Sequence, residues 1–122
     1  MKKFLLIAIL ILGIIFITGN KIGANMNQDF TQVSAKHILV STQQEANDLK
    51  AKIESNEITF EEAAKKYSSC PSGQQGGDLG YFPRGMMVKP FEEAAFSADL
   101  DKVTNPVQTQ FGWHLIKVTD RK

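Results

Sequence analysis

The side chains that could do chemistry in this sequence are few. There are two histidines, His37 and His114, and one cysteine, Cys70. A cysteine and a histidine can make a nucleophile and its base, but that mechanism also needs an orienting group and an oxyanion hole. No particular residue stands out as the orienter. A metal site would draw on His37, His114, Cys70 and Asp78, yet neither a His-x3-His nor a Cys-x2-Cys spacing is present. The glycine-rich stretch Gly73, Gly76, Gly77, Gly80 lacks the Lys-Ser/Thr that completes a phosphate loop. Taken singly, each histidine reads as a hydrogen-bonded structural residue and Cys70 as a small buried hydrophobe. Any function must come from their combination.

The elements that would position them follow from periodicity. Ala35 to Val40 alternates as a strand with His37 and Leu39 on one face. Ser41 with Gln44 and Thr42 with Glu45 form overlapping capping boxes ahead of Ala46, Leu49 and Ile53, which predicts a helix over 42–55. Thr59 with Glu62 is a third box. It opens a helix whose stripe is Phe60, Ala63, Ala64 and Tyr67 and which ends near Ser68. The glycines after Cys70-Pro71 suit a loop rather than a helix, with a short strand at Leu79 to Phe82. Pro90 starts another short helix, with Phe91, Ala94 or Ala95, and Phe96 facing inward. Pro106 to Thr109 and Trp113 to Thr119 are strands joined at Gln110-Phe111-Gly112, and the second carries His114, Ile116 and Val118 on one face. The order βααβαββ makes this an α+β fold with a small, mainly antiparallel sheet. If its first and last strands are neighbours, the two imidazoles can touch.

Composition divides the chain. Of 122 residues, 43% are apolar, but Phe4 to Ile17 is apolar at every position except Gly13. Lys2 and Lys3 precede this block, the layout of an export signal. As a helix, Phe4 to Gly19 would reach roughly 24 Å, short of the ~30 Å hydrocarbon core. Residues 1–24 are therefore expected to be a cleavable signal peptide, the alternative being a retained membrane anchor, with residues 4–19 as the membrane-associating part. Ile22-Gly23-Ala24 is a poor cleavage site, and no cysteine follows to carry a lipid. The lysines place the rest of the chain outside the cytoplasm. Residues 25–33 read as a linker and 34–122 as the working domain. Three of the 14 Lys and Arg (Lys2, Lys3, Lys21) flank the apolar block, which leaves 11 against 13 Asp and Glu, a body charge of −2. That argues against nucleic acid as a partner. The single cysteine excludes an internal disulfide and a multi-cysteine zinc site.

Four blocks together resemble a known family. Ala35-Lys36-His37-Ile38-Leu39-Val40, Cys70-Pro71-Ser72 with Gly76-Gly77-Asp78-Leu79-Gly80, Met87 with Pro90-Phe91-Glu92, and Thr109-Gln110-Phe111-Gly112-Trp113-His114 look like the signature of the parvulin-type peptidyl-prolyl isomerases. They match in order and spacing over residues 34 to 120. The resemblance implies an FKBP-like, four-stranded antiparallel sheet surrounded by about four helices, and cis/trans isomerisation of X-Pro bonds. It also implies His37 and His114 as paired histidines under the site, with Thr109 bonded to them and Cys70 facing the reacting bond. Leu79, Met87, Phe91 and Phe111 would hold the proline. No cofactor is implied. The expected partners are proline-containing extended polypeptides, met by a monomer. The first strand runs almost directly into its helix, so the basic loop of the phosphate-dependent branch has no place and phospho-specificity is not expected. Asp101 stands where the family often has glycine, and aspartate tolerates left-handed geometry. A non-catalytic polypeptide-binding module using the same groove is the alternative.

Overall fold

The computed structural model describes residues 30–122, so the expected export segment and most of the linker lie outside the described residues. The order is β1 (Gln32–Val40), α1 (Gln43–Glu54), α2 (Phe60–Tyr67), a 3-10 helix (Pro71–Gln75), β2 (Asp78–Pro83), α3 (Lys89–Ser97), β3 (Val107–Thr109) and β4 (Gly112–Arg121). The four strands form one sheet in the order β2-β1-β4-β3, antiparallel throughout. No helix among the described residues is long and apolar enough to cross a membrane.

Both faces of the sheet are covered, because β1 and β4 place apolar side chains on each. On one face, Ile38, Val40 and Leu115 pack with Ala46 and Leu49 of α1 and Phe60, Ala63 and Ala64 of α2. Each large side chain buried there contributes about 2 kcal/mol. On the other face Val33 pairs opposite Phe82, whose ring meets Phe91 and Phe96 of α3 at 6.1 and 6.2 Å. β1 begins earlier than the β-branched run suggests. Gln32 and Val33, at the end of the expected linker, are paired, and Val33 is fully buried.

Local chemistry sets the helix ends. At α2 the capping box is complete: Thr59 Oγ1 accepts the Glu62 N–H, and Glu62 Oε1 accepts the Thr59 N–H. At α1 it is only half formed. Thr42 Oγ1 accepts the Glu45 N–H, but the Glu45 carboxylate takes the Ser41 and Thr42 hydroxyls instead of a backbone N–H. The proposed Ser41/Gln44 box does not form, since Gln44 bonds Asp48 on the next turn.

The loop expected after Cys70 is ordered differently. Pro71 opens a 3-10 helix closed by the Gly73 N–H to Cys70 carbonyl bond and ended by left-handed Gly76. Proline presets the first turn, and a single 3-10 turn tolerates glycine that a long α-helix would not. The helix count is thus three α-helices and one 3-10 helix among the described residues. Asp101 is left-handed at φ 61°, as expected for its turn, and its N–H bonds the Val118 carbonyl.

Candidate active site

Sheet register brings the histidines together. His37 on β1 lies opposite Ile116, and His114 on β4 lies opposite Leu39. The two imidazoles are therefore diagonal neighbours on one face, within side-chain reach. Their Nδ1 atoms are 3.0 Å apart, and the rings stack with centroids 5.2 Å apart. Both residues are buried, at 5% and 4% exposure.

Each remaining ring nitrogen has a hydroxyl partner. His37 Nε2 is 3.0 Å from Ser72 Oγ, and His114 Nε2 is 2.8 Å from Thr109 Oγ1. Ser72 Oγ donates to Cys70 Sγ at 3.3 Å, and Thr109 Oγ1 accepts the Phe111 N–H at 3.1 Å. One proton order satisfies every group. Thr109 donates to His114 Nε2, His114 Nδ1–H to His37 Nδ1, His37 Nε2–H to Ser72, and Ser72 to Cys70. At most one ring can be charged in this chain, because two imidazolium ions would have no lone pair to share, and burial favours the neutral form of both. Burial, with the neighbouring His114 as a second cause, pushes the His37 pKa down to about 4. Burial alone lowers that of His114. With all four ring nitrogens engaged, neither imidazole offers a lone pair to a metal or a substrate.

Above the histidines opens a cavity of about 510 Å³. Its walls are almost wholly apolar. Leu79 comes from β2, Met86, Met87 and Val88 from the loop before α3, Phe91 from α3 itself, and Phe111 from the β3–β4 turn. Leu39, Pro71 and Cys70 complete the rim, with His37 and His114 below. Phe91 is the floor piece that touches both histidines, its ring edge-on at 5.5 Å to His37 and 5.2 Å to His114. Phe111 and Met86 stand out at the mouth, 62% and 65% exposed.

The profile of the PPIC-type PPIase domain matches residues 21–122. The chain belongs to this family. Among its relatives, the foldase protein PrsA of Geobacillus kaustophilus is 47% identical over 92 residues, which are 75% of this chain and 32% of that protein. The crystal structure of peptidylprolyl isomerase PrsA from Bacillus anthracis superimposes with a TM-score of 0.74 at 40% identity, covering 80% of this chain and 46% of that one. The parvulin of Nitrosopumilus maritimus gives 0.68 at 42% identity, with 74% of this chain covering 97% of that one. The chain thus spans about a third of the length of the curated foldases it matches and nearly the whole of a single-domain parvulin.

In this PPIC-type PPIase domain, the residues named from sequence converge on one place. Cys70, Leu79, Met87, Phe91, Phe111, His37 and His114 all line the cavity, and Thr109 reaches it through His114. Five participants lie outside the expected site residues: Ser72, Leu39, Pro71, Met86 and Val88. Ser72, the hydroxyl that connects His37 to Cys70, sits two residues beyond Cys70 in a turn whose geometry decides where it points. Leu39 shares the His37 face, which alternation already indicated. Met86 and Val88 flank Met87, and nothing in the spacing separates the three. A second cavity, of about 750 Å³, lies on the far side around Ile53, Ile58 and Val103, away from these residues.

The neutral pair makes stability depend on pH. A histidine whose folded pKa lies below its unfolded value of about 6.5 binds fewer protons folded than unfolded, so stability falls as pH drops between the two values. For His37 the window runs from 6.5 to about 4, and the loss across it is about 3 kcal/mol. Urea unfolding from pH 7 to pH 5, above the carboxylate range, should show stability declining by up to about 1.4 kcal/mol per pH unit through His37 once below pH 6, with His114 adding a decline of the same sign. His37→Asn should flatten that slope. A wild-type profile that is level from pH 7 to pH 5 would contradict the neutral, buried pair.

Proposed function

We propose that the domain is a peptidyl-prolyl cis/trans isomerase acting on proline-containing segments of exported polypeptides, without need of phosphate on the substrate. The observation that carries this reading is an apolar cavity set over two buried, fully hydrogen-bonded imidazoles. Isomerisation makes no bond and transfers no proton. Its barrier of about 18–20 kcal/mol is the cost of breaking amide resonance, and the uncatalysed exchange takes ~10–100 s. A millionfold acceleration asks for roughly 8 kcal/mol.

The residues divide that work plainly. Leu79, Met87, Phe91 and Phe111 hold the proline ring, while the preceding carbonyl rotates past Cys70. A planar amide carries more charge separation than a twisted one. A wall with no charged group favours the twisted form relative to the ground state. His37 and His114, neutral and turned toward each other, keep the floor rigid and uncharged. Cys70, which accepts a hydrogen bond from Ser72, tunes the field around the rotating carbonyl and does not attack it. Among the described residues no lysine or arginine lines the cavity to meet a phosphate. The link from β1 to α1 is only Ser41-Thr42, which leaves no basic loop there. Placement outside the cytoplasm, with residues 1–24 removed or kept as an anchor, rests on the apolar block behind Lys2 and Lys3. A monomer suffices, since one chain supplies the whole cavity.

Exchange spectroscopy on an X-Pro peptide, with the polypeptide from Asn25 onward, tests the reading. Faster cis/trans exchange at catalytic concentration is expected. No acceleration at high protein concentration would leave the non-catalytic binding module. In the same assay Cys70→Ser and Cys70→Asp should keep exchange within about tenfold of wild type, a barrier change of about 1.4 kcal/mol. Complete loss in a folded Cys70→Ser protein would make the thiol a nucleophile.

A further inference from the structure

The cavity has a fixed floor but a rim that hangs on a loop. Met86, Met87 and Val88 belong to the segment between β2 and α3, which has no regular structure of its own. Methionine has three soft torsions, so where its sulfur sits depends on how firmly its backbone is held. One side chain does the holding. Glu92, on the first turn of α3, sends Oε1 back to accept the Gly85 N–H at 2.6 Å, and its Oε2 lies 3.8 Å from Arg84 Nη1. The Arg84 guanidinium rests 4.2 Å above the Phe96 ring of the same helix. The Glu92 side chain is only 13% exposed, unusual for a carboxylate beside a solvent-facing loop. Val88, the residue capping α3, has no side-chain oxygen, and α3 starts with the Glu92 N–H to Val88 carbonyl bond at 2.9 Å.

We propose that Glu92 is a positioning residue for substrate binding. By gripping Gly85 it fixes the Met86–Met87 rim of the proline pocket relative to the Phe91 floor. The inference rests on the isomerase reading above. Gly85, at φ +91°, turns the loop so that its N–H faces α3, and the charge-assisted bond to Glu92 locks that turn. Consecutive residues of one helix therefore set two parts of the pocket. Phe91 makes its floor, and Glu92 aligns its wall. Because the rim contacts the proline before and during rotation alike, losing it weakens ground state and transition state equally. That raises KM and leaves kcat in place.

Glu92→Ala is expected to raise KM for an X-Pro peptide about fivefold with kcat within about twofold. It should also speed exchange of the Gly85 amide with solvent about tenfold and broaden or shift the Met86 and Met87 methyl resonances. Glu92→Gln keeps an acceptor oxygen and should return all three readouts close to wild type. Lys50→Ala, which removes a surface ion pair on α1, is the control that should move none of them. Unchanged KM and unchanged Gly85 exchange in Glu92→Ala would overturn the proposal. So would a fall in kcat at constant KM, or a glutamine variant as impaired as the alanine one. If the wild-type protein accelerates no peptide, the isomerase reading fails by itself, and Gly85 exchange and the methyl spectra still decide whether Glu92 holds the rim.

Discussion

Gly77→Ala should cost the domain about 3 kcal/mol, roughly 12 to 24 °C in melting temperature for a domain of this size. Two effects coincide at this residue. Its φ of +86° disfavours any side chain, and a Cβ there would stand 2.3 Å from the His37 carbonyl oxygen and 3.2 Å from the His37 nitrogen. Neither atom can yield easily. The Gly77 carbonyl accepts the His37 N–H at 2.9 Å, so the strand and the turn are tied at the point where the new methyl group would push. The damage should therefore reach the site: His37 cannot shift without breaking its bonds to His114 and Ser72. Gly80→Ala is the internal comparison. Gly80 also has a positive φ, +70°, but nothing lies within 4 Å of its would-be Cβ, so only the backbone term of about 1 kcal/mol applies. Thermal unfolding of the two variants side by side checks the argument. Equal losses at both positions would show that the close approach to His37 contributes nothing.

Phe91→Ala carries the second large effect, and it falls on activity as well as on stability. Phe91 is 3% exposed and touches Phe82, His37 and His114 at once. Removing its ring costs about 3 to 5 kcal/mol, a large share of the 5 to 15 kcal/mol that a domain of this kind holds in total. The hole would open beneath the imidazoles, where water could compete for their ring nitrogens. Exchange of an X-Pro peptide should fall at least about a hundredfold, equivalent to about 3 kcal/mol of lost transition-state binding. Because the alanine variant is close to the limit of folding, Phe91→Leu is the sharper measurement. It retains most of the volume, should stay within about 2 kcal/mol of wild-type stability, and lacks the flat edge that meets both histidines. A folded Phe91→Leu protein with unaltered exchange would remove Phe91 from the pocket's working surface.

Both arguments turn on contacts between segments far apart in the chain, which marks where the sequence stops being informative. The elements themselves were largely legible. The helices expected over 42–55 and from Phe60 to near Ser68 appear as Gln43–Glu54 and Phe60–Tyr67, because capping residues and apolar spacing are local signals. The strand with His114, Ile116 and Val118 on one face is likewise found, extended to Gly112–Arg121. The departures are local competitions that spacing cannot resolve. Glu45 at Thr42 had two hydroxyls within reach and took both in preference to the backbone. The turn after Cys70 became a 3-10 helix because Pro71 could start one. At the front of β1, Val33 joined the core because Phe82 lies opposite it, a fact of register and not of pattern.

The same division holds for the site. The amino-acid sequence alone determined its inventory: two histidines, one cysteine, a threonine before the last strand, and a set of apolar residues at family spacing. It also placed His37, Leu79, Thr109 and His114 on strands and Phe91 on a helix, since alternation and capping depend only on neighbours a few positions away. Tertiary structure decided the rest. It set β1 beside β4 with His37 and His114 diagonal, so that two side chains 77 positions apart share a proton. It buried them, which lowers their pKa and makes a neutral floor. It also turned Ser72 and Glu92 inward to connect Cys70 and to hold the methionine rim. Periodicity encodes which face a residue occupies. Which atoms meet across that face depends on register, burial and turn geometry, and these exist only once the chain has closed on itself.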